Sequence, residues 1–356
     1  MDSLTQFALG AAIGEAVLGR RIAAKAMLYG GAIATLPDLD VFIPMGSPVA
    51  DFVYHRSWTH SLIVLAVAAP IVAWVIHRLR GDPPEWYRTW LLLAALALLT
   101  HPLLDAFTVY GTQLLWPLTN YPFGVGSMFI IDPAYTLTLI CGLIAARYYG
   151  IFEDTRRRAI AGALVLSTMY LAWSVAAQTI AAQAAEAKLP EGFADGERIT
   201  IAAPFNTLLW RTIAVSDDGS RYAVGYNSLI DGQDGPRFTP FDANHALLDG
   251  LETYWPVARL KAFTGGIYRV REAVEAAGDA EIKKTESRLV LTDLRMGVEG
   301  RYVFSFVVGT RQKEGEVVRS LPTPNARVVP QRDLSGFGRV FARIIDPTIE
   351  IVPRSE

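Results

Sequence analysis

The chain has 356 residues, 51% of them hydrophobic and 19% charged, a net charge of -2 and a mean hydropathy of +0.26. That balance excludes a nucleic-acid binder built on a basic surface. The lone Cys141 excludes an intramolecular disulfide and every thiolate-based zinc motif, so any metal must be held by His and carboxylates. The profile fits a chain that is part membrane protein, part soluble domain.

In chain order, apolar stretches occur at residues 4–19, 22–37, 61–77, 90–107, 128–148 and 159–182. The last four approach the roughly 20 residues that cross a bilayer; the first two are shorter or more polar. Gly10 and Gly14 form a small-xxx-small face suited to close helix contact. Glu15 is costly toward lipid, so it is read as a partner of Lys25 or as another buried polar contact. The first pair is therefore read as a helical hairpin that enters the bilayer and returns. The opening segment lacks a positive lead-in and is followed by Arg20 and Arg21, so it is read as part of the mature protein rather than as a signal peptide.

Charge sets the expected orientation. Arg20, Arg21 and Lys25 lie between the first two stretches, Arg78, Arg80 and Arg88 between the third and fourth, and Arg147, Arg156, Arg157 and Arg158 between the fifth and sixth. The alternate connections carry only Arg56 or no basic residue. The positive-inside rule places the basic loops in the cytoplasm and both chain ends outside.

After Lys188-Leu189-Pro190 the pattern changes. Alternating runs begin at Arg198, Trp210, Tyr222, Arg288 and Tyr302, with turn signals at Asp217-Asp218-Gly219 and Asp231-Gly232, which predicts antiparallel sheet. A helical segment is expected near residues 243–251. The expected fold is an α-helical polytopic membrane domain of about six spans at residues 1–186, followed by a β-rich soluble α+β domain at residues 190–356, outside the cytoplasm.

Four segments carry chemistry. They are Pro37-Asp38-Leu39-Asp40, His55-Arg56-Ser57-Trp58-Thr59-His60, His101-Pro102-Leu103-Leu104-Asp105 and Asp132-Pro133. In the expected topology all lie toward the outer membrane face. His and Asp supply the ligands of a catalytic divalent metal where thiolates are absent.

Each segment also has a plain structural reading. His101 and Asp105 share a helix face and pair with each other. His55 and His60, five apart, differ by roughly 140° on a regular helix and converge only if the chain bends between them. Arg56 and Trp58 suit headgroup depth, Ser57 or Thr59 suits a helix cap near Ser61, and Asp38 and Asp40 follow Pro37 in a turn. Asp132 and Pro133 suit the N-cap and first position of a helix. One shared cause, a metal site, accounts for their gathering on one face. His77 and His245 stand outside it.

At these residues the sequence resembles the YdjM-like family of bacterial inner-membrane, metal-dependent hydrolases. The resemblance rests on Met1-Asp2-Ser3-Leu4-Thr5, Leu36-Pro37-Asp38-Leu39-Asp40, the six residues from His55 to His60, His101 to Asp105, Tyr110 to Pro117, and Ile131-Asp132-Pro133, within residues 1 to about 185. The family reads His after the opening Thr, where this chain has Gln6, which implies a reduced ligand set. The family is similar at a distance to zinc phospholipase C and P1-type nucleases, whose His-x-x-x-Asp spacing His101 and Asp105 share; this implies phosphoester hydrolysis by analogy.

The resemblance and the residues together give these expectations. A divalent metal, zinc first, has ligands drawn from Asp38, His55, His60, His101, Asp105 and Asp132. Asp38 and Asp132 are the candidate catalytic carboxylates, with Asp40 and Gln6 as supporting residues around the ligands. The substrate is a membrane lipid or lipid-linked phosphoester. The alternatives are a non-catalytic membrane protein with a structural polar or metal cluster and a partner-binding β domain, and a transporter; the clustering at one face argues against the latter.

Overall fold

A computed structural model of the protein describes residues 1–149, 152–231, 235–273, 286–312, 318–320 and 337–351. Helix α1 (Ser3–Ile22) begins where Asp2 accepts the backbone N–H groups of Leu4 and Thr5, an ordinary N-cap. Helix α2 (Lys25–Ala34) returns along it. The two backbones approach so closely that a Cβ on Gly10 would collide with Gly30 O and the Ala34 side chain, and one on Gly14 with Ala26 O. The small residues thus make the hairpin that the sequence predicts.

A 3₁₀ turn at Pro37–Phe42 leads to α3 (Pro48–Tyr54), capped by Ser47. A second 3₁₀ turn, Trp58–His60, precedes α4 (Leu62–Arg80). The cap of α4 is Ser61, whose Oγ accepts the N–H groups of Ile63 and Val64, rather than Ser57 or Thr59. Then follow α5 (Tyr87–Asp105), α6 (Pro133–Tyr148) and α7 (Glu153–Glu186).

Three helical stretches among the described residues are long and apolar enough to cross a membrane: Leu62–Arg80, Pro84–Asp105 and Glu153–Glu186. The expectation was about six. With ten residues, α2 rises only about 15 Å, half of a ~30 Å hydrocarbon core. Helix α6, with 16 residues, reaches about 24 Å, and α1 buries Gln6 and Glu15. Glu15 pairs with Arg156 (3.3 Å) and not with Lys25. Trp90, Leu93, Ala94, Ala97 and Leu98 of α5 are buried, because α5 packs against α1, α2 and α4 at once.

The chain divides into two compact units. One comprises Met1–Ile43, Arg56–Ala176 and Pro204–Thr207; the other comprises Pro44–His55, Ala177–Ala203 and Leu208–Glu356. The division falls inside α7 rather than near residues 186–190, because Ala177 and Ala181 pack on Ala202 and Trp210. Two exchanges are absent from the sequence reading. Helix α3 belongs to the second unit, where the Phe52 ring lies 4.9, 4.5 and 5.3 Å from those of Phe263, Phe304 and Phe306. Conversely, Thr207 joins the first unit, its hydroxyl accepting the Trp173 indole N–H (3.2 Å).

In the second unit β1 (Arg198–Ala202), β2 (Leu209–Val215), β3 (Arg221–Ser228) and β4 (Arg237–Asp242) form an antiparallel meander. All seven residues of β2 are buried. One face of the strand packs on Tyr222, Val224, Leu294 and Tyr302, and the other carries Trp210 and Ala214 into separate apolar clusters. The helix expected near residues 243–251 is only a 3₁₀ turn, His245–Leu248. Helix α8 (Trp255–Thr264) begins instead at Trp255, with Pro256 in its first turn, where a missing N–H costs nothing.

Strands β5 (Tyr268–Ala273), β6 (Glu286–Asp293), β7 (Gly297–Val298), β8 (Arg301–Tyr302), β9 (Ser305–Gln312) and β10 (Val318–Ser320) follow. They form a second antiparallel sheet of order β10-β9-β6-β5 and a small β7-β8 hairpin. The run expected from Tyr302 onward is split between β8 and β9. The chain's last described helix is α9 (Phe337–Ile345). Gly232, half of one turn signal, lies outside the described residues.

Candidate metal centre

Asp38, His60, His101 and Asp105 present four ligand atoms that all lie within 4.8 Å of one another. Asp38 comes from the first 3₁₀ turn, His60 from the end of the second, and His101 and Asp105 from one face of the last turns of α5. His60, His101 and Asp105 are fully buried, whereas the Asp38 side chain is 18% exposed.

The hydrogen bonds fix what each ring presents. His101 Nδ1 lies 2.6 Å from Ala34 O. A carbonyl only accepts, so Nδ1 carries the hydrogen, and Nε2 of the neutral ring offers its lone pair. His60 Nδ1 lies 3.0 Å from Thr59 Oγ1, and that hydroxyl donates to Asp40 Oδ2 (2.8 Å). Nδ1 is therefore again the donor, and Nε2 again the lone-pair atom. These two Nε2 atoms lie 3.1 Å apart. Each is 3.4 Å from Asp105 Oδ2, and they lie 3.6 and 3.4 Å from Asp38 Oδ1. Asp105 Oδ2 has no hydrogen-bond partner.

With both rings neutral, four Lewis bases face one point, which is unfavourable unless a cation, a metal ion or a bound proton, completes the group. A tetrahedral zinc ion with N and O ligands at 2.0–2.2 Å requires donor separations of roughly 3.3–3.6 Å. The five separations that involve a histidine, 3.1–3.6 Å, are close to this range, and all four donor atoms lie within 4.8 Å of one another.

The surrounding residues hold this set. Asp105 Oδ1 accepts Gln6 Nε2–H (3.1 Å) and is paired with the Met1 α-amino group, which turns Oδ2 toward the histidines. Gln6 Nε2 also donates to His101 O (3.1 Å). Asp40 Oδ2 accepts the Arg56 backbone N–H (3.1 Å) in addition to the Thr59 hydroxyl, so it positions the loop that carries His60.

Of the residues expected at the site, the structure brings together Asp38, His60, His101 and Asp105, with Asp40 and Gln6 around them. It leaves two outside the group. His55 ends α3 in the second unit, because the backbone turns at Arg56, whose φ is +63°. Asp132 is the N-cap of α6; its oxygens accept the Tyr135 N–H (3.1 Å) and the Tyr170 hydroxyl (3.0 Å). Arg56 is the residue the sequence reading misplaces. It is only 3% exposed, and its Nε lies 3.4 Å from Asp105 Oδ2. The signal for it was its place between two histidines of one motif.

The family model described as YdjM inner membrane protein matches residues 1–181. The chain belongs to this family. It is similar to inner membrane protein YbcI of Escherichia coli (strain K12), 35% identical over 115 residues, covering 30% of this chain and 62% of that protein. It is also similar to the uncharacterized protein YfhP of Bacillus subtilis (strain 168), 27% identical over 143 residues, covering 37% of this chain and 42% of that one. The chain thus spans less than two thirds of the length of these curated relatives. No solved structure matches. The family match contains all four donor residues, and the protein is an inner membrane protein with a buried Asp/His/His/Asp cluster able to hold a metal ion.

Proposed function

We propose that this protein is a membrane-embedded metal-dependent hydrolase acting on a lipid or lipid-linked phosphoester at the outer face of the membrane. The observation that carries the reading is the gradient of exposure across the four donors. Three are fully buried, while Asp38 alone is partly open. The turn that bears Asp38 exposes Leu39 (53%), Val41 (69%) and Phe42 (80%). An opening flanked by exposed apolar side chains suits a substrate with an acyl portion.

In this reading His60, His101 and Asp105 hold the ion, and two imidazoles with carboxylates suit zinc. A divalent ion there supplies Lewis-acid polarisation of water and of the phosphoester. Asp38, at the open side, accepts the proton of the attacking water. Gln6 and Asp40 keep the ligands in register. The basic residues within 20–25, 78–88 and 147–158 support a cytoplasmic location for those loops, and in this reading the metal centre and the β-rich region lie on the opposite side.

A second reading rests on a specific observation: four protein donor atoms within 4.8 Å of one another also describe a closed, structural site. The protein is then non-catalytic, and its β-rich region binds a partner. Asp38→Asn separates the two. Purified protein would be assayed for metal and for hydrolysis of a panel of lipid phosphoesters. A variant that keeps metal but loses hydrolysis supports the hydrolase. A parent that holds metal and hydrolyses nothing in the panel favours the structural site.

A further inference from the structure

Arg56 combines three observations that the metal-holding role of its neighbours does not use. Its side chain is more than nine-tenths buried, yet its guanidinium makes a single hydrogen bond, from Nη1 to the Thr108 hydroxyl (3.2 Å). Its Nε is buried with no hydrogen-bond partner. That atom forms an ion pair with Asp105 Oδ2 at 3.4 Å, too long for a good N–H···O hydrogen bond. The guanidinium carbon lies 5.2 Å from the centre of the Tyr110 ring, a contact that orients the plane without using its donors. The backbone is held at a φ of +63°, with the N–H bonded to Asp40 Oδ2 (3.1 Å) and the carbonyl accepting from Gln113 N–H (2.9 Å).

A buried guanidinium with unused donors is costly unless an acceptor completes it. Asp105 balances the charge at 3.4 Å but leaves Nε without a hydrogen bond. A planar fork of N–H donors beside a cation-holding carboxylate matches the oxygens of a tetrahedral anion, which accept from the guanidinium and face the cation together. We propose that Arg56 is an anion-binding residue of this centre, giving its free donors to a phosphoryl oxygen. This rests on the metal-centre reading and specifies the substrate's recognised part as a phosphoryl group.

The test uses the full-length protein in detergent, loaded with zinc, as parent, Arg56→Lys and Arg56→Gln. Zinc content is measured by elemental analysis. Binding of orthophosphate and of dihexanoyl phosphatidate is measured by calorimetry. Arg56→Lys keeps the charge opposite Asp105 and serves where Arg56→Gln fails to fold. The expected result is zinc retained in Arg56→Lys, with phosphoryl binding weakened about tenfold or more, because the fork is lost. Weakening with both ligands points to a lipid headgroup as the source, and weakening with orthophosphate alone to a free phosphate; either supports the proposal. Zinc-loaded variants that bind both ligands as the parent does overturn it and leave the metal centre standing. A parent that binds phosphate but no zinc overturns the metal reading instead, and a parent that binds neither phosphoryl ligand overturns the anion site.

Discussion

The Nε2 atoms of His60 and His101 face each other at 3.1 Å, each with its Nδ1 engaged by an oxygen that accepts. Two neutral imidazoles do not adopt this arrangement for their own sake, since neither has a hydrogen to give the other. The relationship depends on backbone features far apart in sequence. Ala34 O at the end of α2 sets the His101 ring, and Thr59, held by Asp40, sets the His60 ring.

Gln6 positions Asp105 without belonging to the donor set. Removing its amide in Gln6→Ala leaves Asp105 Oδ1 held by the Met1 α-amino group without the second donor. The expected outcome is a loss of metal affinity of about 10–100-fold, read by competition with a chromophoric chelator. Unchanged affinity would show that Asp105 needs no such support.

The α1–α2 hairpin depends on the absence of a Cβ. In Gly14→Ala the new methyl meets Ala26 O, and overpacking of this kind costs about 1–3 kcal/mol. A lowered thermal unfolding midpoint in detergent is expected. Gly162→Ala in α7, where an added Cβ meets nothing within 4 Å, is the control and leaves the midpoint unchanged or raised.

Helix α3 packs in the second unit through Phe52 and through Tyr54, whose ring lies 6.2 Å from that of Trp255. Truncation of the buried Phe52, packed among Phe263, Phe304 and Phe306, is expected to cost about 3–5 kcal/mol. Hydrogen exchange across residues 48–54 should speed up in Phe52→Ala. Protection equal to the parent's would place the anchoring elsewhere.

These results show what the sequence makes legible. Asp38, His60, His101 and Asp105 were all readable as ligand types in motifs, and the strands beginning at Arg198, Trp210 and Tyr222 followed from alternation and turn residues. The partition of α3 into the second unit was not readable, because Phe52 finds its aromatic partners more than 200 residues away. Nor was the burial of Arg56: local composition makes an arginine beside Trp58 look interfacial, and only the fold brings Asp105 next to it. Of the six apolar stretches, three form helices long and apolar enough to cross a membrane among the described residues; apolar content persists in α2, whose ten residues are too few to cross.

In the second unit His245 donates from Nε2 to Tyr268 O (2.8 Å) and stacks on the Tyr268 ring. Burial, reinforced by the positive charge of Lys261, holds its pKa below the ordinary value of 6.5, against the opposing effect of the Tyr268 carbonyl. The unfolded chain therefore takes up the proton first. This contribution to stability is intact above pH 6.5 and is lost as pH falls from there through the folded value. Hydrogen exchange of β3 and β5 between pH 7 and pH 5.5, corrected for intrinsic rates, should show protection falling with acidification in the parent and a flatter dependence in His245→Gln. An identical dependence in both proteins would remove His245 as the cause.

The central claim is that the cluster of Asp38, His60, His101 and Asp105 is a divalent-metal centre. It is tested most directly by elemental analysis of protein purified without added chelator and equilibrated with micromolar zinc. The account predicts stoichiometric metal in the parent and its loss in both His60→Ala and His101→Ala. A folded parent that holds no metal, or variants that retain it fully, would contradict it.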